Sequence, residues 1–246
     1  MKPNIVSIAL LTFLTSSSVY AKTDSEKESP LKAGTKVGLF YSQTSNTSMS
    51  FNSALWLTYK PSEWTHDMKF NSYYTDTDDD DGTNKYTLYY KADYDIGEAL
   101  SGYVENEYEH NQFETYRQSY TLITGLGYKL IDDKETKLEA GLGPGYRYTK
   151  RQASDVDHPN KETNELIGSA FIKGSRKMTK TFSFGGGSRM EYGSSNTKYT
   201  VDAFLKNTLM TDLALVVDAQ YIYNTEVAST KSNDEIYSTL SLSYDF

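Results

Sequence analysis

Between Ile236 and Phe246 the chain alternates residue by residue. Ile236, Leu240, Leu242, Tyr244 and Phe246 share one side with Ser238, while Tyr237, Thr239, Ser241, Ser243 and Asp245 share the other. A period of two is the mark of a half-buried β-strand. The pattern recurs along the chain in runs of about ten residues bounded by turn-forming breaks. It predicts strands over residues 34–42, 48–59, 64–75, 85–95, 99–110, 116–130, 136–149, 163–175, 180–192, 197–207, 212–225 and 235–246. Apolar rows support most of them: Met49, Phe51, Leu55, Leu57 and Tyr59; Tyr86, Leu88, Tyr90, Ala92 and Tyr94; Tyr120, Leu122, Leu126, Tyr128 and Leu130; Leu213, Leu215, Val217, Tyr221 and Tyr223.

The breaks alternate in length, which is an independent signal. After even-numbered strands they are short, as at residues 60–63, 95–98, 131–135, 176–179 and 208–211. After odd-numbered strands most are longer and more polar, as at residues 76–84, 150–162 and 226–234. Short periplasmic turns and long extracellular loops characterise transmembrane barrels. The expected fold is therefore all-β, a single-domain, twelve-stranded antiparallel transmembrane β-barrel of the outer-membrane type, formed by residues 34–246. A soluble sandwich or lipocalin-like barrel also alternates, but Tyr repeated at strand ends has no purpose in a water-soluble core.

The amino terminus fits export. Lys2 precedes an apolar run from Ile5 to Leu14 and small residues up to Ala21, so residues 1–21 read as a signal peptide, too short in its apolar core to span a bilayer. Residues 22–33 are charged and read as a flexible periplasmic leader. Removing Lys2 takes the formal charge from −8 to −9, so no nucleic-acid partner is expected. A mean hydropathy of −0.62 would ordinarily indicate a soluble protein. Barrels escape that test because half of every strand faces a polar interior. With 22 Tyr the chain is rich in the residue that sits at headgroup level. It has no Cys, which excludes disulfides, thiolate metal sites and Cys nucleophiles.

These features predict a bacterial outer-membrane location, with lipid and lipopolysaccharide as surroundings. The expected partners are periplasmic chaperones and the barrel assembly machinery, the latter recognising the terminal strand through Tyr244 and Phe246.

Opposite the apolar rows lies a charged face: Asp67, Lys69, Lys91, Asp93, Glu105, Glu107, Glu109, Arg117, Lys129, Lys137, Glu139, Arg147, Arg189, Glu191, Lys198, Asp202, Lys206 and Asp218. Such a face lines a water-filled channel or fills the lumen with mutually paired side chains. The filled lumen is favoured, because no loop is long enough to form a separate constriction. Gly141, Gly143 and Gly145 share this face within a strand and predict room for a large lumen side chain.

No catalytic, cofactor-binding or metal-ligating residue is assigned. The loop Asp76 to Gly82 resembles a calcium loop, but its Gly is one place late and the twelfth position is Thr87 rather than Glu. A solvated acidic loop is expected instead. The competing functional class is a hydrolase acting at the extracellular rim. Its histidines would be His66, His110 or His158, the last sharing a loop with Asp155 and Asp157. No Ser stands two residues after any of them, and His158 precedes Pro159 in a polar loop, so a solvated loop histidine is favoured.

One region carries a family resemblance. Gly102 to Tyr148 contains Glu105, Tyr116-Arg117, Thr121-Leu122, Gly125-Leu126-Gly127-Tyr128, Leu138-Glu139-Ala140-Gly141 and Gly143-Pro144-Gly145-Tyr146-Arg147. It resembles the YdiY-like family of salt-induced outer membrane proteins, a domain of unknown function. The likeness extends more loosely from Gly38-Leu39-Phe40-Tyr41, with Thr44 and Asn46-Thr47, to the terminal strand. Residues 43–47 depart from the family's usual Gly before Asn. The resemblance implies an outer-membrane barrel, and the family's designation suggests a tie to salt or osmotic stress; the leading expectation is a non-enzymatic structural or small-solute-permeability role. The resemblance implies no catalytic residues.

Overall fold

The computed structural model describes residues 29–43, 47–74, 84–112, 114–152 and 161–246. Residues 1–28, the acidic loop 76–82, and Asp155, Asp157 and His158 lie outside the described residues. The strands are β1 (Leu31–Gln43), β2 (Thr47–Tyr59), β3 (Trp64–Tyr74), β4 (Asn84–Asp95), β5 (Leu100–Asn111) and β6 (Tyr116–Asp132), followed by β7 (Thr136–Arg151), β8 (Glu162–Lys177), β9 (Phe182–Gly193), β10 (Lys198–Met210), β11 (Leu213–Asn224) and β12 (Asp234–Asp245). Each boundary falls within three residues of its expected place, the largest offsets being the start of β1 and the end of β10.

Every strand pairs antiparallel with its sequence neighbours, and β1 pairs with β12 to close the ring. In that closing seam Gly34 stands opposite Asp245 and Gln43 opposite Ile236. Closure leaves no edge strand, so backbone groups are satisfied within the wall, as a bilayer interior demands.

The alternation sorts side chains to two faces. Leu55, Leu88, Leu126, Leu142, Leu205, Val217 and Leu240 are all exposed on the outer face. Above and below them run aromatics: Tyr59, Trp64, Tyr94, Tyr128 and Tyr244 toward the short turns, Tyr74, Tyr120, Tyr146, Tyr192, Tyr199 and Tyr221 toward the longer loops. An apolar band between two aromatic girdles is the outer surface of a transmembrane barrel. The inner face carries the buried polar groups, among them Lys85, Lys91, Glu105, Arg147, Glu165 and Glu191.

The short turns are closed by side-chain acceptors. Asp133 Oδ1 accepts from the backbone N–H groups of Glu135 at 2.8 Å and Thr136 at 2.5 Å. The Thr136 and Glu135 donors hold its carboxyl below the usual carboxylate range. Thr179 Oγ1 does the same for Thr181 and Phe182.

Candidate functional site

The lumen is neither an open pore nor uniformly filled. At mid-height Arg189 on β9 reaches Glu105 on β5, four places away in the ring of twelve. Arg189 Nη2 donates to Glu105 Oε2 at 2.9 Å, Nη1 donates to Oε1, and Tyr89 Oη donates to Oε2 at 2.9 Å. Glu105 is 1% exposed, so this charge survives only because it is paired and hydrogen-bonded. The bridge is a chord across the lumen.

On one side of that chord, strands β6 to β8 are packed shut by Tyr103, Ile123, Ile167 and Phe171. The Phe171 ring stands over Gly141, where an added Cβ would come within 2.6 Å of it, and Tyr103 stands over Gly125 at 2.8 Å. Glycine on the inward face thus makes room for large lumen rings, as expected for Gly141. Lys91, Lys173 and Arg189 all approach the Phe171 ring, at 5.4, 5.4 and 5.8 Å from its centroid. Their charges are balanced by Asp93, Glu139 and Glu105.

On the other side lies a chamber of about 450 Å³ lined from β1, β3, β4, β5 and β8 to β11, with no contribution from β6 or β7. Seven Lys or Arg and seven Asp or Glu line it. Equal numbers of each sign leave the chamber polar without a net bias for anions or cations. The expectation of a filled lumen holds for the β6–β8 side and fails for this one, because Glu105 and Arg189 satisfy each other along the chord and leave the space beyond it open.

Among the described residues the loop-side mouth is bridged, also contrary to expectation. Loops 112–115 and 225–233 follow β5 and β11, which are diametrically opposite in the ring. Tyr116 Oη donates to Glu226 O at 2.6 Å, and the Ala228 N–H donates to Thr115 Oγ1 at 3.1 Å. Asn196, from the loop between β9 and β10, ties in a third segment by donating to Asn224 Oδ1 at 2.8 Å and accepting from the Glu226 N–H at 3.1 Å. Arg147 anchors the knot, donating to Asn196 O and, at 2.7 Å, to Glu165 Oε1. The space left beneath is about 30 Å³, room for about two waters. Neither loop could span the lumen alone, yet the two meet because they start from facing walls.

Of the charged face expected from the alternation, two members are elsewhere. Arg117 is exposed on the outside, because a bulge between Tyr116 and Gln118 re-aims the strand and brings Tyr116 inward. Lys137 is exposed at the turn end of β7, paired with Asp132. Lys129 reaches Asp95 at 2.8 Å, and Lys198 spans to Glu109 on β5 at 3.6 Å. Inward charges that escaped the sequence reading include Lys36, paired with Asp218 at 2.6 Å, Lys85, Arg151, Glu165, Lys173 and Glu235. Glu165 and Lys173 share a parity on β8, a spacing that would have marked them. Ile167 and Phe171 on the same row masked it.

The outer-face histidines sit among aromatic rings. His66 stacks with Trp64 at 5.9 Å and its Nδ1 hydrogen-bonds Tyr90 Oη at 2.9 Å; His110 stacks on Tyr86 at 4.9 Å. Neither forms an ion pair with a carboxylate among the described residues. Among those residues there is also no cluster of three or more potential metal ligands.

The family described as "Protein of unknown function, DUF481" matches residues 35–246. The chain belongs to this family. The YdiY-like resemblance carried by Gly102 to Tyr148 points to the same one. No curated protein matches it by sequence. Among solved structures, the NanC porin is similar over 85% of this chain and 98% of its own, at 12% identity and a TM-score of 0.56. The translocator domain of autotransporter NalP from Neisseria meningitidis is similar over 89% of each chain, at 10% identity and a TM-score of 0.52. Both likenesses are of fold, and they place this DUF481 barrel with outer-membrane barrels.

Proposed function

We propose that this DUF481 protein resides in the bacterial outer membrane and provides a narrow route for small polar solutes, without chemistry of its own. The apolar band and its aromatic girdles support the location, as does the fold shared with a protein named a porin. The observation that carries the permeability reading is the polar chamber of about 450 Å³, walled off from the packed side by Glu105 and Arg189. The stacked settings of His66 and His110, with no acid among the described residues to orient either, favour a non-enzymatic role.

Reconstitution in planar bilayers tests this reading. The native chain is expected to give small, infrequent conductance steps, because the mouth is bridged. Replacing Thr115→Val and Tyr116→Phe removes the two side-chain hydrogen bonds described between the facing loops. At about 1 kcal/mol each, their loss raises the open fraction by about tenfold or more. Absence of steps in both forms refutes the route. It would favour the second reading, a purely structural barrel, to which the bridged mouth and the chord of ion pairs also lend support.

A role in salt or osmotic stress, carried over from the family's designation, is part of the same proposal. Cells lacking the protein should survive an osmotic upshift less well; equal survival opposes that role.

A further inference from the structure

Most inward charges are spoken for. Glu105 and Lys91 are 1% and 2% exposed and engage partners on other strands. Lys69 on β3 and Asp202 on β10 differ: both point inward, line the chamber and are exposed to it. Neither makes an ion pair with any described residue. Lys69 Nζ lies 5.5 Å from the centroid of the Tyr89 ring. Strands β3 and β10 are five places apart in the ring of twelve, so the two side chains stand on nearly opposite walls.

A cation and an anion that face each other across a confined space, neither ion-paired to a described residue, select their occupant by charge pattern. A simple anion gains Lys69 and is repelled by Asp202; a simple cation meets the reverse. An uncharged solute offers neither group a counter-charge. A solute that carries a carboxylate at one end and an ammonium at the other satisfies both through charge-assisted hydrogen bonds. The Tyr89 ring and Phe204, which also line the chamber, offer apolar surface to the carbon stem between those ends. At about 450 Å³ the chamber lies within the range of small-molecule sites.

We propose that the chamber binds small zwitterionic solutes, the carboxylate on Lys69 and the ammonium on Asp202. This rests on the permeability reading and deepens it by naming the solute class. Saturation-transfer NMR on the detergent-solubilised protein tests it, with 4-aminobutyrate as probe and the uncharged 4-hydroxybutyramide as its match in size. The wild type is expected to bind 4-aminobutyrate at least about tenfold more tightly than the amide, and Lys69→Met or Asp202→Asn to abolish that preference. The exchanged pair Lys69→Asp with Asp202→Lys restores it, which excludes misfolding as the cause of the losses. Equal binding of the two probes by the wild type, or a preference untouched by either single substitution, overturns the site. Vesicle swelling separates the two claims. Zwitterion binding without permeation keeps the site and refutes the route; equal permeation of both probes without preferential binding keeps the route and refutes the site.

Discussion

Replacing Glu105 by Ala will destabilise the barrel by about 3–5 kcal/mol, the cost of leaving a buried charge without its partner. Arg189 would then lose both its hydrogen bonds to that carboxylate, and Tyr89 its acceptor. Three cations would remain around Phe171 with only Asp93 and Glu139 to balance them. Arg189 is 23% exposed toward the chamber, so partial hydration places the cost at the lower end of that range. The pair itself contributes far less than its disruption costs. Replacing Glu105 and Arg189 together by Met, two unbranched side chains of adequate length, should recover most of the loss. Urea unfolding from lipid vesicles measures both. A single-variant loss below about 1 kcal/mol, or a double variant as unstable as the single one, would show that the chord does not hold the lumen together.

Replacing Leu142 by Arg should cost about 2–4 kcal/mol in the same vesicle assay. Leu142 is 67% exposed near the middle of β7, opposite Leu126 and Ala170, on the outer face between Tyr128, which pairs with Ala140, and Tyr146. On a water-facing surface such a change would be close to neutral, within about 0.5 kcal/mol. The same substitution therefore distinguishes solvent from lipid. A neutral result would mean that the band does not meet hydrocarbon.

The wall of this barrel was legible residue by residue, while its interior was not. Alternation needs only neighbours in sequence, so twelve strands and the outward row from Leu213 to Tyr223 could be read directly. Loop lengths likewise announced which end carries the turns. Closure and register decide the rest, and they bring together residues far apart in the chain. Glu105 and Arg189 are 84 positions apart, and no local pattern links them. Lys69 and Asp202 were visible as inward charges; that neither forms an ion pair among the described residues follows only from where Asp93, Glu105 and Glu139 find their partners. Arg117 went wrong because one bulged residue inverts the parity of everything beyond it. The dry patch escaped because Ile167 and Phe171 share a row with Glu165 and Lys173, so β8 shows no clean contrast between its faces. The mouth escaped for a different reason: the loops from β5 and β11 are unremarkable alone and meet only because the ring sets their strands opposite one another.

The most direct trial is a nitroxide scan along β11, from Leu215 to Ile222, in lipid vesicles, with oxygen and a water-soluble nickel chelate as competing relaxants. Labels at Leu215, Val217 and Tyr221 should respond to oxygen, and those at Asp218 and Gln220, which line the chamber, to the chelate. Response to the chelate along the whole strand, or oxygen access at Asp218 with chelate access at Val217, would contradict a wall with lipid on one side and a polar chamber on the other.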